Sequence, residues 1–251
     1  MISRMLLLAI MALTIFPGTE SPTLAEIPRP LATDTITTTA GDLKITFIGH
    51  GSLTLRFGDR VIYIDPYSSL ADYTKLPKAD LILLTHQHPD HLDPKAINSI
   101  RTPATDLIYT AACAAVLPGG KVMKNGDTNT DHGFPIEAIS AYNLIHTRDN
   151  GQPFHPKGEG NGYILTFGRT RVYVAGDTEN IPEMKALRGI DVAFLPMNLP
   201  YTMTPEMVAD AARAFKPGIL YPYHYGETDP SRLIALLADL PEVKVRIRPM
   251  K

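Results

Sequence analysis

Three histidines and one aspartate fall within six positions in His86-Gln87-His88-Pro89-Asp90-His91, directly after the run Asp80-Leu81-Ile82-Leu83-Leu84-Thr85. That run is apolar between polar ends, the pattern of a strand buried on both faces. A buried strand is rigid and the loop leaving it is exposed, so side chains there can converge on one point. In an extended chain His86 and His88 project to the same side, and Pro89 turns the chain before Asp90 and His91. Imidazole and carboxylate at this density suit Zn²⁺ or another first-row divalent ion.

The flanking sequence supplies the sheet. Leu43 to Ile48, Ser52 to Phe57 and Val61 to Ile64 read as successive strands with turns at Gly49-His50-Gly51 and Gly58-Asp59-Arg60. Further strands are expected at Asp106–Tyr109, Ile136–Ala141, Gly162–Phe167, Arg171–Ala175, Val192–Pro196, Gly218–Pro222 and Val243–Arg248. Asp93-Pro94 opens a short helix to Ile100, Thr204-Pro205 opens another to about Phe215, and Pro230 to Leu240 carries leucines at helical spacing. Two sheets packed face to face with helices outside accommodate this order.

The 251 residues, 44% hydrophobic, suffice for one domain with a substantial core. A net charge of −2 gives no overall basic excess for a nucleic-acid backbone or an anionic membrane surface. Residues 1–25 read as a signal peptide: Arg4, an apolar run from Met5 to Phe16, then Thr23-Leu24-Ala25 before a cleavage site. The run is short of the roughly 20 residues that span a bilayer. The expected layout is signal peptide 1–25, an N-terminal lead 26–42 and a single domain 43–251, exported to a periplasm or medium. Cys113 is alone, so no intramolecular disulfide exists, and its apolar neighbours mark a buried structural thiol.

His86-Gln87-His88-Pro89-Asp90-His91 resembles the His-x-His-x-Asp-His signature of the metallo-β-lactamase-fold hydrolases. Ile64-Asp65-Pro66, Ala175-Gly176-Asp177-Thr178, the segment Asn198 to Thr204 and Tyr221-Pro222-Tyr223-His224-Tyr225 resemble the superfamily's other motifs and occur in its order. The first of these is similar to the lactonase-like and N-acyl-phosphatidylethanolamine phospholipase D-like branch. The resemblance covers about residues 43–248 and implies an α/β fold, an αββα four-layer sandwich, holding two divalent metals, Zn with Mn or Fe as alternatives. It implies His86 and His88 on the first metal, Asp90, His91 and His224 on the second, and Asp177 as a bridge. Many relatives take the first metal's third histidine from Ala-x-His, but here that place reads Ala141-Tyr142-Asn143. His155 is favoured, because Phe154-His155-Pro156-Lys157-Gly158 resembles a bacterial sub-branch, with His146 and Asn143 as alternatives.

The function implied is a hydrolase in which a metal-held hydroxide attacks an ester, lactone or phosphodiester bond and Asp90 accepts its proton. His50, Tyr201 and Tyr225 are candidate substrate contacts, with Tyr67 and Lys157 as further walls; His132 reads as a surface turn. The expected partner is a small-molecule substrate, with no nucleic acid and no stable membrane span. The alternatives are a non-catalytic metal-binding or ligand-sensing protein on the same fold, and redox chemistry at a di-iron site. No Gly-x-Ser-x-Gly elbow or Gly-x-Gly-x-x-Gly loop is present, which removes support for a serine nucleophile or a dinucleotide.

Overall fold

The computed structural model describes residues 30–251. The signal-peptide reading of 1–25, with cleavage near Ala25, lies outside the described residues. Two seven-stranded sheets are built in strict chain order. The first holds β1 (Ala32–Thr38), β2 (Gly41–Gly49), β3 (Ser52–Phe57), β4 (Arg60–Ile64), β5 (Leu81–Leu83), β6 (Asp106–Tyr109) and β7 (Lys121–Val122). The second holds β8 (Thr128–Asn129), β9 (Ile136–Ala141), β10 (Gly160–Phe167), β11 (Thr170–Val174), β12 (Val192–Pro196), β13 (Ile219–Tyr223) and β14 (Lys244–Val245). The helices are α1 (Pro94–Ile100), α2 (Ala111–Val116), α3 (Pro182–Lys185), α4 (Pro205–Phe215) and α5 (Arg232–Leu236).

Side-chain alternation sets the layers. On β4, β5 and β6, Ile62, Ile64, Leu81, Leu83 and Ile108 enter the core between the sheets. Their neighbours Val61, Tyr63, Ile82, Leu84, Leu107 and Tyr109 pack outward against Ala96, Ile97 and Ile100 of α1 and Cys113 of α2. These strands are therefore apolar on both faces, as their continuous hydrophobic runs require. Across the gap, Phe194 of β12 stacks on Tyr221 of β13 at 5.0 Å and meets Phe47 of β2 at 6.3 Å. Tyr173 of β11 points to the opposite side, edge-on to Phe215 of α4 at 6.2 Å. Helix, sheet, sheet, helix is the resulting order, and each fully buried ring contributes about 1.5–3 kcal/mol.

The caps read from sequence are present. Asp93 accepts from Lys95 N at 2.8 Å and Ala96 N at 3.4 Å, and Thr204 accepts from Met207 N at 3.1 Å. Three differences stand out. The Pro- and Thr-rich lead supplies β1, an edge strand paired antiparallel to β2 with Asp34 opposite Ile45; sheet pairing, not an apolar stripe, orders it. The helix expected over 230–240 is only Arg232–Leu236, flanked by turns, and the last strand only Lys244–Val245.

Each sheet has an antiparallel half and a parallel half, with β4-β5-β6-β7 and β11-β12-β13-β14 parallel. The C-terminal ends of β4, β5, β11, β12 and β13 therefore lie at one edge of the sandwich. Strands β2 and β9 run the same way as β4 and β11, each two antiparallel pairings removed. In open α/β sheets this is the edge where ligands bind.

Candidate metal centre

All of the cluster except His155 lies on loops leaving the ends of these strands; His155 comes from the long connection between β9 and β10. His86 and His88 follow β5, Asp177 follows β11 and His224 follows β13. Asp65 follows β4 and His50 follows β2. Three of these turns put a non-glycine residue in the left-handed region: His50 at φ 50°, Asp65 at φ 45° and His224 at φ 45°. Such residues are uncommon, and strain of this kind collects where side chains are held for function. A fourth turn uses Gly176 at φ 67°, just before Asp177.

The ring nitrogens are sorted by their hydrogen bonds. Asp65 is fully buried; its carboxylate accepts from Thr85 N at 2.8 Å, Thr85 Oγ1 at 2.6 Å and His91 Nδ1 at 2.8 Å. Thr85 Oγ1, having spent its proton on Asp65, accepts from His86 Nδ1 at 2.9 Å. Asn143 Oδ1 accepts from His155 Nδ1 at 2.7 Å and from His155 N at 2.9 Å. In each histidine Nδ1 is held by an acceptor, which turns the Nε2 edge of the ring to the centre.

The facing atoms form three groups, each with ligand atoms within 4.8 Å of one another: His86, His88 and His155; His50, Asp90, His91 and His224; and His86, His91 and Asp177. Asp177 Oδ2 lies between them, 3.3 Å from His155 Nε2, 3.5 Å from His91 Nε2 and 3.5 Å from His224 Nε2. Buried Nε2 of His91, both ring nitrogens of His224 and Oδ1 of Asp177 have no hydrogen-bond partner among the described residues. Buried polar atoms are costly when unpaired, and the two Nε2 atoms, each 3.5 Å from Asp177 Oδ2, suit bound cations.

Charge follows the same plan. Burial, then the charge of His91, holds His86 well below the usual imidazole range. Burial brings His88 and His224 to about 4. All three are neutral near pH 7, the form that binds metal. Burial lowers His91, but Asp177, Asp65 and Asp90 outweigh it and raise it to about 9. Burial raises Asp90, yet the His50 hydrogen bond at 3.0 Å and the charge of His91 carry it below the carboxylate range. Asp177 is likewise held low, by His224 and His91 against its burial.

The structure brings together His86, His88, His155, Asp90, His91, Asp177 and His224, with His50 bonded to Asp90 and its ring centroid 3.7 Å from that of His224, the two rings tilted by 37°. His146 stands apart, its Nδ1 2.8 Å from Glu179 Oε1. Glu179, fully buried, also accepts from the backbone N–H groups of Leu144, Ile145 and His146 and from Asn143 Nδ2. Asn143 is no ligand in this arrangement: it ties His155 to Glu179 and to Tyr201 O. Asp65, Asn143 and Glu179 are positioning residues; motif matching marks Asp65 without its role, weighs Asn143 only as a ligand and misses Glu179.

A cavity of about 420 Å³ opens over the cluster, lined by His50, Asp90, Arg148, Phe154, Asn198 and Tyr201 among others. Tyr225 does not reach it, which corrects its assignment as a substrate contact. Its side chain is buried, with the hydroxyl donating to Arg248 O at 2.9 Å and accepting from Met250 N at 3.2 Å. The left-handed turn at His224 breaks strand alternation and sends the two neighbours different ways. Lys157 pairs with Glu183 at 2.9 Å, and Tyr67 lies 6.2 Å from the His50 ring; neither lines the cavity. His132 is 3.6 Å from Asp106, far along the chain from the cluster.

Residues 44–224 match the family described as Beta-lactamase superfamily domain. A UPF0173 metal-dependent hydrolase of Methanoculleus marisnigri is 31% identical over 186 residues, 73% of this chain and 81% of its own. One from Thermococcus onnurineus is 31% identical over 219 residues, 80% and 95% of the two chains. A crystal structure described as a candidate metal-dependent hydrolase from Parabacteroides distasonis is 51% identical, with a TM-score of 0.85, covering 88% of this chain and all of its own. Igni18, a metallo hydrolase from Ignicoccus hospitalis, superposes with a TM-score of 0.69 at 26% identity, covering 83% and 96%. The chain thus has a metallo-β-lactamase fold and belongs to the UPF0173 family of metal-dependent hydrolases.

Proposed function

We propose that the chain is a dinuclear hydrolase that cleaves an ester, lactone or phosphodiester bond in a small molecule. The convergence of the unpaired Nε2 atoms of His91 and His224 on Asp177 Oδ2 carries this reading. His86, His88 and His155 would hold one ion, Asp90, His91 and His224 the other, and Asp177 would lie between; zinc suits this donor set. Such ions bring the pKa of water from 15.7 to roughly 7 and polarise the oxygen of the bond attacked.

The chain's residues divide the remaining work. Asp90 is the accessible carboxylate, its side chain 39% exposed against 4% for Asp177. His50 occupies Oδ2 of Asp90, which leaves Oδ1 to take the proton of the attacking water and return it to the leaving group. Asp65, Thr85 and Asn143 hold the rings in one tautomer throughout. Phe154 and Tyr201 give one wall of the cavity an aromatic surface. The aromatic wall and the likeness to the lactonase-like branch support cyclic esters and phosphodiesters as the substrate class.

Elemental analysis of the purified chain tests the reading, with about two Zn, Mn or Fe expected per chain. Asp90→Ala should remove hydrolysis across a lactone, phosphodiester and thioester panel while leaving the fold intact. A fully metallated wild type that is inactive on the whole panel would instead favour the binding or sensing alternative. The reading of residues 1–25 as an export signal stands beside this, and the N-terminal mass of the mature chain tests it.

A further inference from the structure

The cavity over the cluster carries a cation that the hydrolytic chemistry does not use. Arg148 is the one Lys or Arg side chain among the residues lining the cavity over the cluster. Among the described residues no carboxylate lies within 4.0 Å of it; its hydrogen bond is the donation from Nη2 to Phe154 O at 3.3 Å. Its guanidinium lies over the Phe154 ring, 5.1 Å from the centroid, and Phe154 meets Tyr201 edge-on at 5.0 Å.

This wall is fixed to the metal ligands rather than free. Arg148 begins a tight turn: its N–H donates to Gln152 O and its carbonyl accepts from Gly151 N, both at 2.8 Å, and Thr147 bridges Pro153. Phe154 precedes His155 directly, and Asn143 holds both His155 and the carbonyl of Tyr201. A guanidinium has five donors and stays charged at all working pH, so a stacked one with a single weak bond is preorganised for an oxyanion. Its placement beside the ligands sets the anion it would bind on the same molecule as the bond being cut.

We propose that Arg148 is an anion anchor that selects substrates bearing a second acidic group, a carboxylate or phosphate, besides the bond cleaved. This deepens the hydrolase reading, on which it rests only in taking the cavity for the substrate's. The test measures binding to the metal-loaded protein by calorimetry, with succinate and butyrate as probes and metal content checked in each sample. Succinate should bind wild type more tightly than butyrate, and Arg148→Ala should weaken succinate by about 10- to 100-fold while butyrate and metal content stay unchanged. Arg148→Lys should fall between them, because lysine keeps the charge and loses the planar fork. Replacing succinate by 3-phosphonopropionate shows which acid is preferred. Equal binding of the two probes by wild type, or parallel loss of both in Arg148→Ala, overturns the proposal. A protein that keeps the discrimination yet hydrolyses nothing on the panel sinks the hydrolase reading and leaves the anchor standing.

Discussion

Asp65 Oδ2 and His91 Nδ1 lie 2.8 Å apart with both side chains fully buried, and through Thr85 the same carboxylate also sets the ring of His86. One carboxylate therefore orients a histidine in each half of the cluster. Asp65→Asn keeps the size but offers an amide where three donors converge. It should lower metal affinity by about 10- to 100-fold, read by competition with a chromogenic chelator. Unaltered affinity would show that the rings are held by packing alone.

His155 and His146 separate cleanly. His155→Ala should lose about one metal per chain, since it removes the third nitrogen beside His86 and His88. His146→Ala should leave metal content at the wild-type level, because that ring rests on Glu179. The reverse pattern in elemental analysis would exchange their roles.

Gly51 is an expected point of intolerance. A Cβ there would stand 2.8 Å from His91 Cε1 and 3.1 Å from Nδ1. The added methyl would crowd the same Nδ1 edge that Asp65 binds at 2.8 Å, so the ring can move away only by losing that hydrogen bond. Gly51→Ala should weaken metal binding by about 10- to 100-fold, as displacing the partners that orient a ligand does, with circular dichroism unchanged. Normal affinity would mean the ring moves without penalty.

Asp34 ties the edge strand of one sheet to the other sheet. It accepts from Tyr221 Oη and pairs with Arg248 through both oxygens at 2.7 and 2.8 Å. Burial raises the Asp34 carboxyl, but Tyr221, Arg248 and Arg246 together carry it below its ordinary value. A depressed folded pKa gives stability that is full above the unfolded value, about 3.9, and is lost as pH falls through the folded one. Asp34→Asn should cost about 1–3 kcal/mol at pH 7, with the gap to wild type closing in acid below about pH 4. Denaturant midpoints measured from pH 7 to 3 check this; a gap independent of pH would contradict it.

How much of this is legible in the sequence depends on how local each feature is. His86, His88, Asp90 and His91 announce themselves because four ligands crowd one strand end, and the unbroken apolar run of β5 declares a strand covered on both faces. His155 sits on the long connection from Ala141 to Gly160, where spacing says nothing about closure. What brings it in is Asn143, bonded to it across twelve positions, and Glu179 behind that. Asp65 is visible as part of a motif, but its three hydrogen bonds join β4 to the β5 loop and exist only after the strands pair. Strand β1 has no apolar stripe to betray it. Tyr225 misleads because nearness along the chain to His224 implies a shared direction, which a left-handed residue cancels.

The most direct measurement is diffraction from crystals of the metal-loaded protein at the absorption edges of zinc, manganese and iron. The account predicts two anomalous peaks per chain, one among His86, His88 and His155, the other among Asp90, His91 and His224, with Asp177 touching both. No peak in this volume, or a peak between His146 and Glu179 instead, would contradict it.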